Sequence, residues 1–470
     1  MSSRRLVLIA AVAVSLGGGA AVAGPDTPAP GPAATQPAAP DWTAQLLLRA
    51  DRIAQEVAKL RGLAPKQPIQ RDVVDIEELR RRLVAKARSE KTAAELAAEE
   101  IAAKRWGLVP PDADYAGLLV DVLTEQIAGY YDPEDRRLYI AKRNELGGDW
   151  ADMLLAHEID HALQDQHYDL QKWMDLPPAE GDALLARQAL VEGDGVVLMI
   201  ELVMARQGLS PPWATPEVTT TMARAMEVGT GKDQLSQAPL AVRESLMFPY
   251  RAGMGFVAEL RRRHPWSRVD DVFKNPPRST EQILHPEAYL AGEAPMPVAA
   301  RLPRTLSGFR TAHETVWGEQ GVAVFLRQHG VAASDAAAAA AGWGGDRAVV
   351  WAPPRGGGWS RSIGAVYTVW DSEIDAMEAA EALTAAVDQL VLAGRVERAG
   401  PATRWYGLDA SVAFVERRGD AVVLAVGVPL GAARALPDQI FTTWSVTRPP
   451  PPPASPEPVP APLPPAPPPR

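Results

Sequence analysis

Cysteine is absent from this sequence, so no disulfide, thiolate zinc finger, iron–sulfur site, cysteine nucleophile or acylated lipoprotein cysteine is available. Any bound metal must be held by histidine and carboxylate. Positive charge is also in deficit: 48 basic against 58 acidic residues leave a net charge of -10, which rules against a polyanion partner such as nucleic acid or an anionic membrane surface. Lysine is scarce, 9 residues beside 39 arginines, a bias that with the many alanines and prolines suggests a GC-rich bacterial genome. Long apolar runs are missing too. What remains, 47% hydrophobic and 23% charged over 470 residues, is a globular composition too long for one compact domain, and two folded units with tails are expected.

The tails are legible first. Arg4 and Arg5 precede a short apolar run that passes through Gly17 to Gly19 and ends at Ala21-Val-Ala23, the pattern of a secretory signal peptide cleaved after Ala23. The run is too short to be a convincing membrane span, so no span is expected after cleavage. A secreted, periplasmic or envelope location in a bacterium follows. Residues 24–41 are a Pro/Ala-rich linker, and residues 449–470 hold 14 of the 44 prolines, the composition of an exposed polyproline II tail that can serve as ligand to a partner's aromatic groove.

Within the folded part, apolar spacing predicts amphipathic helices over 42–62 and 76–106, with a strand at Pro68 to Val74 between them. Residues 126–140 read as a hairpin turning at Asp132-Pro133. A helix is expected from Trp150 to Met174, stopped by Pro177-Pro178, and a second, mostly apolar one from Glu180 to Arg206. Further helices and loops occupy 212–300. Beyond 300 the texture changes: helix-like stretches at 311–328 and 333–341, strands at 348–351, 363–370, 411–416 and 421–426, and a helix over 373–392. The expected organisation is α+β, a first unit over 42–300 and a second over 301–448 built on an antiparallel sheet.

The chemistry sits in Ala156-His157-Glu158-Ile159-Asp160-His161, a His-Glu-x-x-His pattern inside a helical sequence. Residues four apart share a helix face, so His157 and His161 can bind one Zn2+ while Glu158 points at a zinc-activated water whose proton it can accept as general base. A secretion signal, a strand just upstream and the apolar Leu154, Leu155 and Ile159 favour this over chance. Asp160 puts a charge where such motifs usually exclude one. Two residues compete as third ligand. His167 has metzincin spacing, but Gln164 replaces the glycine that would turn the chain, so six further helical residues rotate His167 about 240° and carry it about 9 Å along the axis. Glu192, in Ala189-Leu-Val-Glu-Gly-Asp-Gly195, lies among small residues on the next apolar helix and is the better candidate.

With these residues the chain resembles a gluzincin, and more closely a group of secreted bacterial zincin-like proteins of largely undefined function. The resemblance rests on His157 to His167, on Ala189-Leu-Val-Glu-Gly-Asp194, and on Ser279-Thr-Glu-Gln-Ile-Leu-His-Pro286. It implies a zincin-like fold for the first unit, His157, His161 and Glu192 as zinc ligands, and Glu158 as base. Candidate oxyanion donors are His285, then Tyr250 and Tyr131. Asp194 is a candidate to orient a ligand histidine, while Glu180 and Asp182 read as helix-capping acids. The expected activity is zinc-dependent hydrolysis of peptide bonds in a protein or peptide substrate. The alternatives are a non-catalytic envelope protein on a zincin scaffold that acts by binding, and a zinc hydrolase of a non-peptide amide in cell-wall material.

Overall fold

A computed structural model describes residues 10–12, 42–142, 148–226, 234–354 and 358–448. The linker, the Pro-rich tail and all of the leader except Ala10–Val12 lie outside them. The first unit opens with β1 (Ala10–Val12), α1 (Trp42–Arg61), β2 (Gln70–Val74), α2 (Ile76–Glu90), α3 (Ala93–Arg105) and α4 (Tyr115–Gln126). The hairpin β3 (Ile127–Asp132) and β4 (Arg137–Ala141) follows, then α5 (Gly148–Tyr168), α6 (Leu170–Trp173) and α7 (Gly181–Arg206). Six more helices finish it, the long core helix α10 (Leu240–Arg263) and the shorter α8 (Pro216–Ala225), α9 (Gln234–Gln237), α11 (Ser267–Lys274), α12 (Thr280–Leu284) and α13 (Pro286–Ala291).

The small sheet has the order β1-β3-β4-β2, antiparallel except for the parallel pair β2 and β4. Its inner face meets α5, and one core joins Ile53, Leu138, Leu155, Ile159, Leu190, Phe248 and Phe256 from α1, β4, α5, α7 and α10. Each fully buried Leu, Ile or Phe of that set contributes about 1.5–3 kcal/mol. Two helices are shorter than their periodicity suggests. Thr92 starts α3 with a reciprocal capping box to Glu95, which splits the 76–106 stretch. Asp169, at φ 55°, ends α5 before the prolines, and Asp165 takes the freed N–H of Leu170 at 2.9 Å.

The second unit follows β5 (Val298–Ala299) and comprises β6 (Arg310–Thr315), α14 (Gly318–Gln328), α15 (Ala333–Ala340), β7 (Trp343–Ala352), β8 (Ile363–Trp370), α16 (Glu373–Leu390), β9 (Ala393–Ala399), β10 (Ala402–Gly407), β11 (Ser411–Arg418), β12 (Ala421–Pro429), α17 (Leu436–Thr443) and β13 (Ser445–Val446). Seven of these strands form one antiparallel sheet, β6-β7-β8-β12-β11-β10-β9, so the chain is α+β. Period-two alternation sends Ala348, Val350 and Val366 to a core under α14, α15 and α16, and Val349, Trp351 and Ala365 to a second core under α17. Residues 310–315, expected to be helical, are instead an edge strand, because pairing with β7 outweighs weak local preference. The exposed β9 and its partner β10 carry little apolar signal, which is why the pattern missed them. Helix α3 comes early in the chain yet packs here: Trp106 at its end stacks edge-on against Trp317 and Phe325.

Candidate metal centre

Helix α5 turns Leu155, Ile159 and Leu163 into the core, and that burial fixes the rotation of the helix. One turn apart, His157 and His161 face α7 with Nε2 atoms 2.9 Å apart and rings at 84°. Glu192 of α7 brings Oε2 to 3.1 Å from His157 Nε2 and 3.4 Å from His161 Nε2. A tetrahedral zinc with ligands at about 2.0–2.1 Å has ligand atoms about 3.3 Å apart, so this triangle fits the ion. All three side chains are buried.

Glycine makes the close approach possible. A Cβ on Gly193 would lie 2.1 Å from the backbone of Gly253 in α10, and one on Gly253 would lie 1.9 Å from the carbonyl oxygen of Ala189. Gly195 serves the site directly: a Cβ there would fall 2.6 Å from Nδ1 of His157. Glu158 lies on the sheet side of the histidines, where the N–H of Tyr131 in β3 donates to its Oε2 at 2.7 Å. His157, Glu158 and His161 offer ligand atoms that all lie within 4.8 Å of one another. Beside Glu158, between Leu46, Gly129 and Leu155, is a cavity of about 10 Å³, the scale of a single water.

The three groups share their charge. Burial lowers the basicity of His161, but the Glu192 carboxylate outweighs it and holds the imidazole at about 9. Burial would raise Glu192, but His161 and His157 bring it down to about 2. Burial and the charge of His161 push His157 down. A cation bound between these groups would take the place of a proton on the histidines.

Behind His161 lies a relay that the motif does not announce. Its Nδ1 meets Gln164 Oε1 at 3.0 Å, and Gln164 Nε2 donates to Asp160 Oδ2 at 2.9 Å and to the carbonyl of Val191 at 3.3 Å. Asp160 does not face solvent. It is fully buried and kept well above the usual carboxylate range, by burial first and then by Asp194, with Arg61 opposing. Arg61 of α1 is itself buried, donates twice to Asp194 at 2.9 and 3.0 Å and once to Asp270 at 2.7 Å, and stacks on Trp266. The two departures from the motif, Asp160 and Gln164, therefore belong to one buried network. Gln164 and Arg61 have no motif of their own, and the available signal was only that two polar residues fall on the apolar face of α5.

Other expected residues are held elsewhere. His167 turns its Nε2 to the carbonyl of Ala64 at 2.8 Å, away from the triangle. Asp194 bonds Arg61 and not a ligand histidine. Asp182 does not cap α7: it accepts from Thr280 N at 3.1 Å and Oγ1 at 2.5 Å, while Glu180 pairs with Arg347 at 3.3 Å. His285 is bound to Glu319 of α14 at 3.0 Å. Of the proposed oxyanion donors, Tyr250 lies by the site, its ring stacked 6.1 Å from that of His157, and Tyr131 gives its hydroxyl to Asp165.

Residues 304–436 match a family described as a domain of unknown function (DUF8575). That span is the sheet of the second unit and contains none of the metal-centre residues. No curated protein and no solved structure matches the chain.

Proposed function

We propose that this chain is a secreted zinc-dependent peptidase, with His157, His161 and Glu192 as metal ligands and Glu158 as general base. The observation that carries this reading is the triangle of two Nε2 atoms and one carboxylate oxygen, with a second carboxylate next to it on the sheet side. Bound there, zinc supplies Lewis acidity and makes a water acidic near neutral pH. Glu158 would serve as the proton acceptor in hydrolysis and pass the proton to the leaving nitrogen, with the Tyr131 N–H holding its carboxylate in place. Of the three candidate donors, Tyr250 is the one whose ring adjoins a proposed ligand histidine, so it takes the oxyanion role in place of His285.

Substrate binding follows from the sheet. Ala10–Val12, within the proposed leader, pairs antiparallel with the outer edge of β3, the strand that carries Tyr131. Removal of the leader leaves that edge free to accept an extended peptide as an added strand. Among the described residues no helix is long and apolar enough to cross a membrane.

Purified protein lacking residues 1–23 is expected to carry about one zinc and to cleave a peptide library in a chelator-sensitive way. Glu158→Gln should keep the zinc and lose about 10²–10⁴-fold in turnover. Equal cleavage by both proteins would refute the assignment. One observation favours a second reading: the centre is closed, with His157, Glu158, His161 and Glu192 all buried, as in structural zinc sites. A zinc-loaded protein without activity after leader removal would establish that scaffold reading.

A further inference from the structure

The junction of the two units holds a second acidic group that the hydrolytic chemistry does not use. Glu281 in α12, Glu293 after α13 and Asp371 after β8 offer carboxylate oxygens that all lie within 4.8 Å of one another. Glu281 is 7% exposed, yet among the described residues no hydrogen bond or ion pair reaches any of the three carboxylates. A fourth carboxylate stands behind them. Glu319 in α14 binds His285 through Oε1 at 3.0 Å, while its Oε2 is buried without a partner and the side chain is 6% exposed. Its charge acts on both Glu281 and Asp371.

Three carboxylates this close, with the charge of Glu319 acting on two of them and only His285 to oppose it, leave an excess of negative charge in a half-buried place, which is costly unless a cation enters. The carboxyl groups register that cost. Burial, then the charges of Asp371, Glu319 and Glu293, push Glu281 up to about 8, and burial with Glu293 pushes Asp371 up to about 6. The donors are all hard oxygens, the ligand class of calcium rather than of zinc. Calcium–oxygen distances of about 2.4 Å let two ligands on opposite sides of one ion stand about 4.8 Å apart. Glu293 and Asp371 are exposed, so water can complete a coordination number of about 6–8. The backbone under Glu281 is already pinned, since Thr280 bonds Asp182 of α7 and accepts from Gln320 N of α14 at 3.2 Å.

We propose that Glu281, Glu293 and Asp371, with Glu319 behind them, form a calcium site that clamps the sheet unit to the helical unit. Glu281 and Glu293 precede β5 and Asp371 comes from beyond it, so one ion ties both units together. This accounts for the acid and the histidine of Ser279-Thr-Glu-Gln-Ile-Leu-His-Pro286, a segment that the metal centre leaves without a role.

Calorimetric titration of calcium chloride into the full chain tests this, with thermal melts and zinc content measured on the same samples. Wild type should take up about one calcium with a Kd of about 10⁻⁵–10⁻³ M, and its Tm should rise by about 2–4 °C at tenfold excess over Kd. The double variant Glu281→Gln/Asp371→Asn should lose at least about tenfold in calcium affinity, lose the calcium-dependent rise, and melt no lower than wild type without calcium, because repulsion has been removed. Should that variant fold poorly, Glu293→Gln, on the exposed side, is expected to show the same loss of affinity. No uptake by wild type, equal uptake by the variants, or magnesium binding as tightly as calcium would overturn the proposal. Zinc content separates this outcome from the peptidase reading, since each site can fail while the other is retained.

Discussion

Gly195→Ala is the sharpest test of how the proposed metal centre is built. The new Cβ would lie 2.6 Å from Nδ1 and 2.8 Å from Cε1 of His157, against an ordinary contact of 3.4–4 Å. The ring must therefore retreat by about 1 Å, or α7 must move by the same amount and take Glu192 with it, whereas a zinc site tolerates about 0.2 Å in its ligand distances. The expected cost is about 10–100-fold in zinc affinity, or about 1.4–2.8 kcal/mol, the range seen when the support of a metal ligand is disturbed. Fold stability is a poor readout, because alanine in place of helical glycine returns about 0.5–1 kcal/mol. Competition with a fluorescent zinc chelator reads the affinity directly. Gly255→Ala in α10 is the control, since nothing lies within 4 Å of a Cβ there and affinity should not change. Zinc affinity within about twofold of wild type for Gly195→Ala would refute the argument that this glycine makes room for His157.

Gln164→Leu removes the acceptor at His161 Nδ1 and strips Asp160 of its donor. Zinc affinity should fall about 10–100-fold, and Gln164→Glu, which keeps an acceptor, should restore a large part of it in the same chelator competition. Arg61→Ala leaves the carboxylate of Asp194 buried without its guanidinium, and denaturant unfolding should report a loss of about 3–5 kcal/mol. Burial, with Asp346 adding to it against the bonds from Thr280, raises Asp182 to about 7 in the folded chain from an ordinary 3.8. Between those values the folded state holds the extra proton, so its contribution to stability is greatest below about pH 4, falls as pH rises to about 7 and is level beyond. Asp182→Asn should flatten that part of the Tm-against-pH curve and melt higher than wild type at pH 8. An unchanged slope would show that Asp182 is not the group responsible.

Much of the secondary structure was legible because burial imposes period 3.6 on α1, α5, α7 and α16 and period 2 on β7, β8, β11 and β12. The elements that were misread lack that imprint. β6 and β9 lie at sheet edges, where a strand is held by its neighbour's backbone and not by its own apolar residues. The break at Asp169 depends on a side-chain bond from Asp165 that competes with helix continuation.

At the metal centre, the sequence alone determined that any ligands would be histidine and carboxylate, and that His157 and His161 share one face of α5, since both follow from composition and helical geometry. That Glu192 on α7 completes a triangle with them, that Gln164 links His161 to a buried Asp160 that feels the charge of Arg61, and that His285 turns to Glu319 were decided by tertiary structure. These residues lie on helices that meet only through packing, at glycines whose missing side chains set the distance of approach. The acidic junction at Glu281, Glu293 and Asp371 is the same case: three segments far apart in the chain become one site only when two cores dock, and no local pattern encodes the distance between them.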